Sequence, residues 1–229
     1  MLSALTWLDE LRWFGGLLGA VRDAEVLEGG LRSSAAELPD PDAGAASRLL
    51  RRLRDRRESA RADLLAARES ERYLDLLEQL VEAATSPPLL AAAAAPAADV
   101  VSDIMEPLWR HLTEAIDGIG RDAPDNGLHP ARIRTKRARY AAESMAPAFG
   151  KRARSFASDA AALQDVLGEH QDALVAEAWL RDAASGGGAR TAFVAGELAA
   201  REQRAAAKAR RRWTKPWKSL SSKRDRFWT

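Results

Sequence analysis

Apolar residues recur along most of this chain at spacings of three and four, and no stretch alternates apolar with polar. That is the period of a helix with one buried stripe, and it predicts helices rather than strands. Six helical segments are expected, over about 3–31, 46–84, 99–119, 130–147, 151–184 and 190–213, with a weak point at Gly15-Gly16 in the first. Turn-forming residues punctuate them: LPDPDAG (38–44), SPP (86–88), an Ala/Pro linker (89–98), GRDAPDNG (120–127), Pro147 with Gly150, and SGGG (185–188). The residue before a proline avoids the α region, so SPP stops a helix. Short connections make neighbouring helices antiparallel, so the expected fold is all-α, built from antiparallel bundles.

The helices are not all independent. LGAVRDAEVLEGGLR (18–32) aligns without gaps on LGEHQDALVAEAWLR (167–181) at an offset of 149, with eight identities in fifteen positions. The matches include Leu18/Leu167, Gly19/Gly168, Asp23/Asp172 and Leu31/Leu180. Two related helical units are therefore expected. Residues 1–95 are assigned to the first, 96–213 to the second, and 214–229 to a basic aromatic tail. The same offset carries a segment beginning at His129 to a position before Met1. The first unit is accordingly expected to be truncated at its N-terminus, without a counterpart of that segment, the rival reading being divergence of the first unit.

Composition narrows the picture. The 229 residues contain no cysteine, which removes disulfides and thiolate ligands and fits a reducing, cytoplasmic setting. The start MLSALTWLDELRWF lacks a basic n-region, and the longest apolar run (87–101) is short and holds three prolines, so neither a signal peptide nor a membrane span is expected. The formal net charge is only +2, but it is unevenly spread. Residues 1–128 carry 14 cationic and 23 anionic side chains, whereas 129–229 carry 21 and 10. The basic half is where an anionic partner is expected.

HPARIRTKRARY (129–140) concentrates that charge. Pro130 suits the first helical position, which puts His129 near the N-cap. At about 100° per residue, His129, Arg132, Lys136, Arg139 and Tyr140 share one face about 16 Å long, Arg137 sits on its flank, and Arg134 points away. Fixed cations lower the cost of gathering negative groups, and the free N–H groups of a helix start add to the field. Arginine forks onto phosphate oxygens, lysine acts as a point charge, and tyrosine donates a hydrogen bond. The alternative is a solvated face with internal pairs, such as Arg139 with Glu143, or pairs with Asp165, Glu169 and Asp172 across the bundle.

The spacing H129-x-x-R132-I133-x-x-K136-x-x-R139-Y140, the Phe149-Gly150 stop and LQDVLGEHQD (163–172) together resemble the CHAD domain, the conserved histidine α-helical domain. ELRWFGGLLGAVRDAEVL (10–27), SERYLDLLEQL (70–80) and RFW (226–228) extend the resemblance over nearly the whole chain. It implies two helical bundles related by a pseudo-twofold axis, with a basic surface that binds inorganic polyphosphate. It also implies a location in the cytoplasm or on polyphosphate granules. The family's histidine, arginines, lysine and tyrosine carry over to His129, Arg132, Lys136, Arg139 and Tyr140, and Arg137, Lys208 and Arg212 are added as neighbouring cations. The family's first-unit basic helix is not matched here, and no triphosphatase domain accompanies the chain.

The remaining features are less specific. Arg48, Arg51, Arg52, Arg54, Arg56, Arg57 and Arg61 wrap around their helix instead of lining one face. Lys208, Arg210, Arg211, Arg212, Lys215 and Lys218 either extend an anion cleft or form a basic tail. His111 and His170 lack a second metal ligand at useful spacing. Trp7, Trp13, Trp109 and Trp179 are expected in the core, whereas Trp213, Trp217 and Trp228 pack on the bundle or serve an interface. No phosphate loop, nucleophile elbow or zinc-protease motif is present, so no enzyme and no cofactor is expected. The leading expectation is a polyphosphate-binding module for granule association or scaffolding. Non-specific nucleic-acid binding, a polyphosphate-processing role and a structural adaptor are its rivals, and a homodimer is left open.

Overall fold

The computed structural model describes residues 4–87, 89–119, 127–222 and 226–229. Among them the regular structure is helical throughout: α1 (Ala4–Ala35), α2 (Ala43–Arg68), α3 (Glu71–Thr85), α4 (Ala97–Asp117), α5 (Leu128–Ser185), α6 (Ala189–Arg212) and α7 (Thr214–Leu220), with short 3₁₀ turns before α2 and α4. The GRDAPDNG connection, apart from Gly127, lies outside the described residues, as do Ser3, Pro88 and Lys223 to Asp225.

Three boundaries differ from the sequence expectation, each for a local reason. α1 runs unbroken through Gly15 and Gly16, because a propensity cost of about 1 kcal/mol per glycine does not end a helix of 32 residues. The expected helix 46–84 is two helices. Ser70 adopts an extended backbone, and its Oγ accepts from the Tyr73 N–H at 3.3 Å, capping α3. The expected helices 130–147 and 151–184 form one element that turns at Gly150 (φ 62, ψ −131). A left-handed φ costs an L side chain about 1–2 kcal/mol, which explains glycine there. Pro147 lies inside the helix just before this turn.

The chain forms two compact units, each discontinuous in sequence. One comprises Met1–Leu90 and Ala178–Ala199, and the other comprises Ala91–Glu177 and Ala200–Thr229. Both α5 and α6 therefore contribute to each unit.

In the first unit α1 packs on α2, burying Ala24, Leu27 and Leu31 together with Ala45, Ala46, Leu49 and Leu53. The buried Glu28 carboxylate receives Arg57 Nη1 at 2.8 Å and also binds Arg32. Arg190 reaches Asp42 at 2.6 Å, and Arg48 donates to Thr191 Oγ1 at 3.2 Å, tying the 178–199 segment to the start of α2. Arg52 donates to the Ala183 carbonyl and lies over the Trp179 ring. Several arginines of the 48–61 run thus hold the unit together.

The second unit has an aromatic core. Val101, Met105, Trp109, Leu112 and Ile116, at helical spacing on α4, meet Leu128, Ala131, Ala138 and Ala142 from the first arm of α5. Phe156, Ala160, Leu163 and Leu167 of the second arm complete it. The tail closes this core. Phe227 and Trp228 are buried, Trp217 stacks on Trp109 at 5.5 Å, and Trp228 Nε1 donates to Glu106 at 2.9 Å. Of the other tryptophans expected in the core, Trp7, Trp13 and Trp179 are only half-buried.

Candidate anion-binding helix

The first arm of α5 is built to be attached by one face only. Its buried positions are Leu128, Ala131, Thr135, Ala138 and Ala142, a seam at spacings of three and four. The Thr135 hydroxyl turns back onto the Ala131 carbonyl at 2.8 Å, so it presents a methyl to the core and leaves no polar group unmet. A seam of small residues lets the arm lie close against its neighbours. The long side chains are left to the other faces.

On those faces His129, Lys136, Arg137 and Tyr140 are exposed, and Arg132, Arg134 and Arg139 are half-buried. Tyr140 is flanked by two cations, with Lys136 Nζ 5.6 Å and Arg139 Cζ 5.7 Å from its ring centroid. Arg139 Nε binds Glu143 Oε1 at 2.7 Å. That hydrogen bond, with the attraction of Glu143, Tyr140 and Asp165, raises the Arg139 pKa further above its already high ordinary value, so the guanidinium is charged at any working pH. Arg132 turns its Nε inward, where it meets no hydrogen-bond acceptor. Among the described residues Arg132, Arg134, Lys136 and Arg137 enter no ion pair.

His129 lies in the first turn of the arm, one residue inside the start of α5. Its Nδ1 stands 3.0 Å from Gln171 Oε1 on the second arm, across 42 residues of chain. This contact fixes the ring against the unit, and Gln171 was not singled out by its spacing. Its position within LGEHQD was the available signal. His170, next to it, is buried, and His111 is exposed.

The added cations are placed differently. Arg212, in the last turn of α6, binds Glu169 Oε2 at 2.7 Å. Asp165, one turn before Glu169, adds a smaller attraction to that of Glu143 on Arg139. Gln171, the partner of His129, is about 200° round the helix from Glu169. Lys208 is exposed, one turn before Arg212. Asp172 and its repeat mate Asp23 are both exposed. Among the described residues no group of three or more His, Asp or Glu side chains can hold a metal ion, and no helix is long and apolar enough to cross a membrane. This arrangement offers a polyanion several fixed charges along one helix.

Comparison with known proteins gives this geometry its context. Residues 3–181 match the family model described as the CHAD domain. An uncharacterized protein of Mycobacterium tuberculosis strain ATCC 25618 / H37Rv, Rv2226, is 33% identical over 174 residues, 73% of this chain and 33% of that protein. MT2285, an uncharacterized protein of strain CDC 1551 / Oshkosh, matches to the same extent. The chain spans about a third of the length of these curated relatives. Among solved structures, the CHAD domain from the plant Ricinus communis superposes with a TM-score of 0.75 at 26% identity, over 96% of this chain and 73% of that one. PptA from Streptomyces chartreusis shares the fold, with a TM-score of 0.73 at 24% identity over 92% and 78% of the two chains. With a family match over most of its length and a like fold in a solved member, the chain belongs to the CHAD domain family.

Proposed function

We propose that this protein is a binding module for inorganic polyphosphate, held along the outer faces of the first arm of α5. One observation carries the reading. Four cations of that arm, Arg132, Arg134, Lys136 and Arg137, enter no ion pair among the described residues, while the arm is attached through an alanine and threonine seam that does not need them. Cations retained without an ion-pair partner are available to a ligand, and Arg132 and Lys136 lie on the His129 face, with Arg137 on its flank, where a linear chain of phosphates can run. Membership of the CHAD family supports phosphate as the anion. His129, Arg139 and Tyr140 complete the face, and Arg212 and Lys208 extend it from α6. The role that follows is granule association or scaffolding in the cytoplasm, with no chemical step performed on the chain.

Binding is measured by titrating the protein with long-chain polyphosphate at several salt concentrations, with single-stranded DNA as competitor at equal phosphate. Replacing Arg132, Lys136 and Arg139 by alanine removes three phosphate contacts. It should flatten the slope of log K against log salt by about 2, taking about 0.7 per contact as for single-stranded polyanions. No binding at low salt, or an unchanged slope, rejects the proposal. Equal displacement by DNA assigns the face to nucleic acid instead.

A further inference from the structure

The hydrogen bond between His129 and Gln171 has a direction, and that direction decides what the ring can offer a ligand. Gln171 presents its carbonyl oxygen, Oε1, to His129 Nδ1 at 3.0 Å. A carbonyl oxygen accepts and never donates, so the hydrogen of this bond sits on Nδ1. A neutral imidazole has one N–H, which leaves its Nε2 with a bare lone pair. Phosphate oxygens are acceptors as well, and a lone pair turned towards them repels. Only the imidazolium, with a hydrogen on each nitrogen, keeps the Gln171 bond and donates from Nε2 at the same time.

The surroundings leave this ring open to an outside anion. His129 is exposed and Gln171 half-buried, so the anchor lies on the protein side and solvent reaches the ring. Among the described residues the imidazole enters no ion pair. The charged groups on the elements around it are of both signs. They are Arg132 one turn along its own arm, Asp172 next to Gln171 on the second arm, Asp117 at the end of α4 and Arg210 on α6. Glu169 of the second arm is taken by Arg212. A row of bound phosphates outweighs this mixed field and favours the charged ring.

We infer that Gln171 is a positioning residue for the anion site: it holds His129 in the Nδ1–H tautomer, so that Nε2 donates to a phosphate oxygen only once the ring has taken up a proton. The inference rests on the polyphosphate reading and adds to it that binding is proton-linked. The proton comes from solvent, goes to Nε2, and lies between the ring and a phosphate oxygen in the complex. The sign follows from linkage. The complex holds a proton that the free protein gives up as pH rises, so binding is tighter at low pH and weakens as pH climbs past neutrality.

Two measurements on the full chain test this. Nitrogen-15 spectra of the free protein at high pH, assigned with His129→Gln, report which ring nitrogen carries the hydrogen. It should be Nδ1, and Gln171→Leu should shift the population towards Nε2. Long-chain polyphosphate is then titrated at about pH 6 and about pH 8.5; phosphates that hold the proton about tenfold more tightly make the affinity fall about fivefold over that interval. His129→Gln should remove this fall, and comparison with it subtracts the titration of the polymer's ends and of His111 and His170. Gln171→Leu should flatten the fall, because the released ring donates from Nε2 while neutral. His129 is exposed, so its variant keeps the test readable if Gln171→Leu folds poorly. No polyphosphate binding at either pH sinks this inference together with the reading it rests on. Binding whose pH profile ignores either substitution, or a hydrogen on Nε2 in the free chain, overturns this inference alone.

Discussion

Replacing Trp228 by alanine tests whether the last residues are part of the second unit or merely rest on it. The indole is 4% exposed, lies edge-on to Phe156 at 5.1 Å and Phe227 at 5.2 Å, and is tilted against Trp109 at 6.1 Å. Truncating a buried Trp costs about 3–5 kcal/mol, covering both lost transfer energy and the cavity left behind. The Nε1–Glu106 hydrogen bond is lost as well. An acceptor this close to the surface recovers water, so the bond adds no more than about 1 kcal/mol. The total of about 3–6 kcal/mol corresponds to a fall of roughly 6–24 °C in Tm at about 2–4 °C per kcal/mol for a chain of this size. Trp228→Phe keeps most of the ring stack and should cost about half as much. Calorimetry, with ellipticity at 222 nm as a second probe, measures the fall in Tm. A loss under about 1 kcal/mol for Trp228→Ala would falsify the assignment of the tail to the core.

Other measurements probe single features. Gly150→Ala should cost about 1–2 kcal/mol from its positive φ alone, since the added Cβ meets nothing within 4 Å. Gly168→Ala, equally unhindered but inside a helix, should instead stabilise by roughly 0.5–1 kcal/mol; like signs for the two in urea unfolding would refute the argument. The hydrogen bond from Arg57 holds the Glu58 carboxyl below its ordinary pKa, so the pair's small, solvent-screened contribution is present above the usual carboxylate range and fades as pH falls through the lowered value. The difference in urea midpoint between the wild type and Glu58→Gln should therefore shrink from pH 7 towards pH 3, and a constant difference would contradict that origin.

Local pattern made much of this structure readable. Helix faces follow from the 3.6-residue period, so the buried stripe of α4 and the outward placement of Lys136 and Tyr140 could be drawn from spacing alone. Boundaries were harder where both sides of a break are equally helical. Ser70 lies between two alanine- and charge-rich segments, and its cap was hidden by strong propensity on either side. The double glycine in α1 misled in the opposite sense, because a cost of about 1 kcal/mol per glycine does not end a helix of 32 residues. Gln171 beneath His129, Glu169 on Arg212, and Trp228 against Trp109 were out of reach for a different reason. Each joins residues more than 40 positions apart, and no local rule chooses among such partners. The same holds for the Ala178–Ala199 segment, which lies with the first unit although it follows the second along the chain.

The turn at Gly150 has a consequence for how the molecule assembles. It folds the first arm of α5 back on the second with almost no intervening loop, so the chain entropy lost in bringing the arms together is close to the minimum. Contacts between the two arms near the turn join residues close in sequence, and the seam can then zip outward to Leu128. Topologies rich in such local contacts fold fast. Phe227 and Trp228 close the same core from far along the chain, and a ribosome releases them after the hairpin. The hairpin that carries His129 to Tyr140 can therefore form while the protein is still being made, before the aromatic residues that seal the unit have emerged.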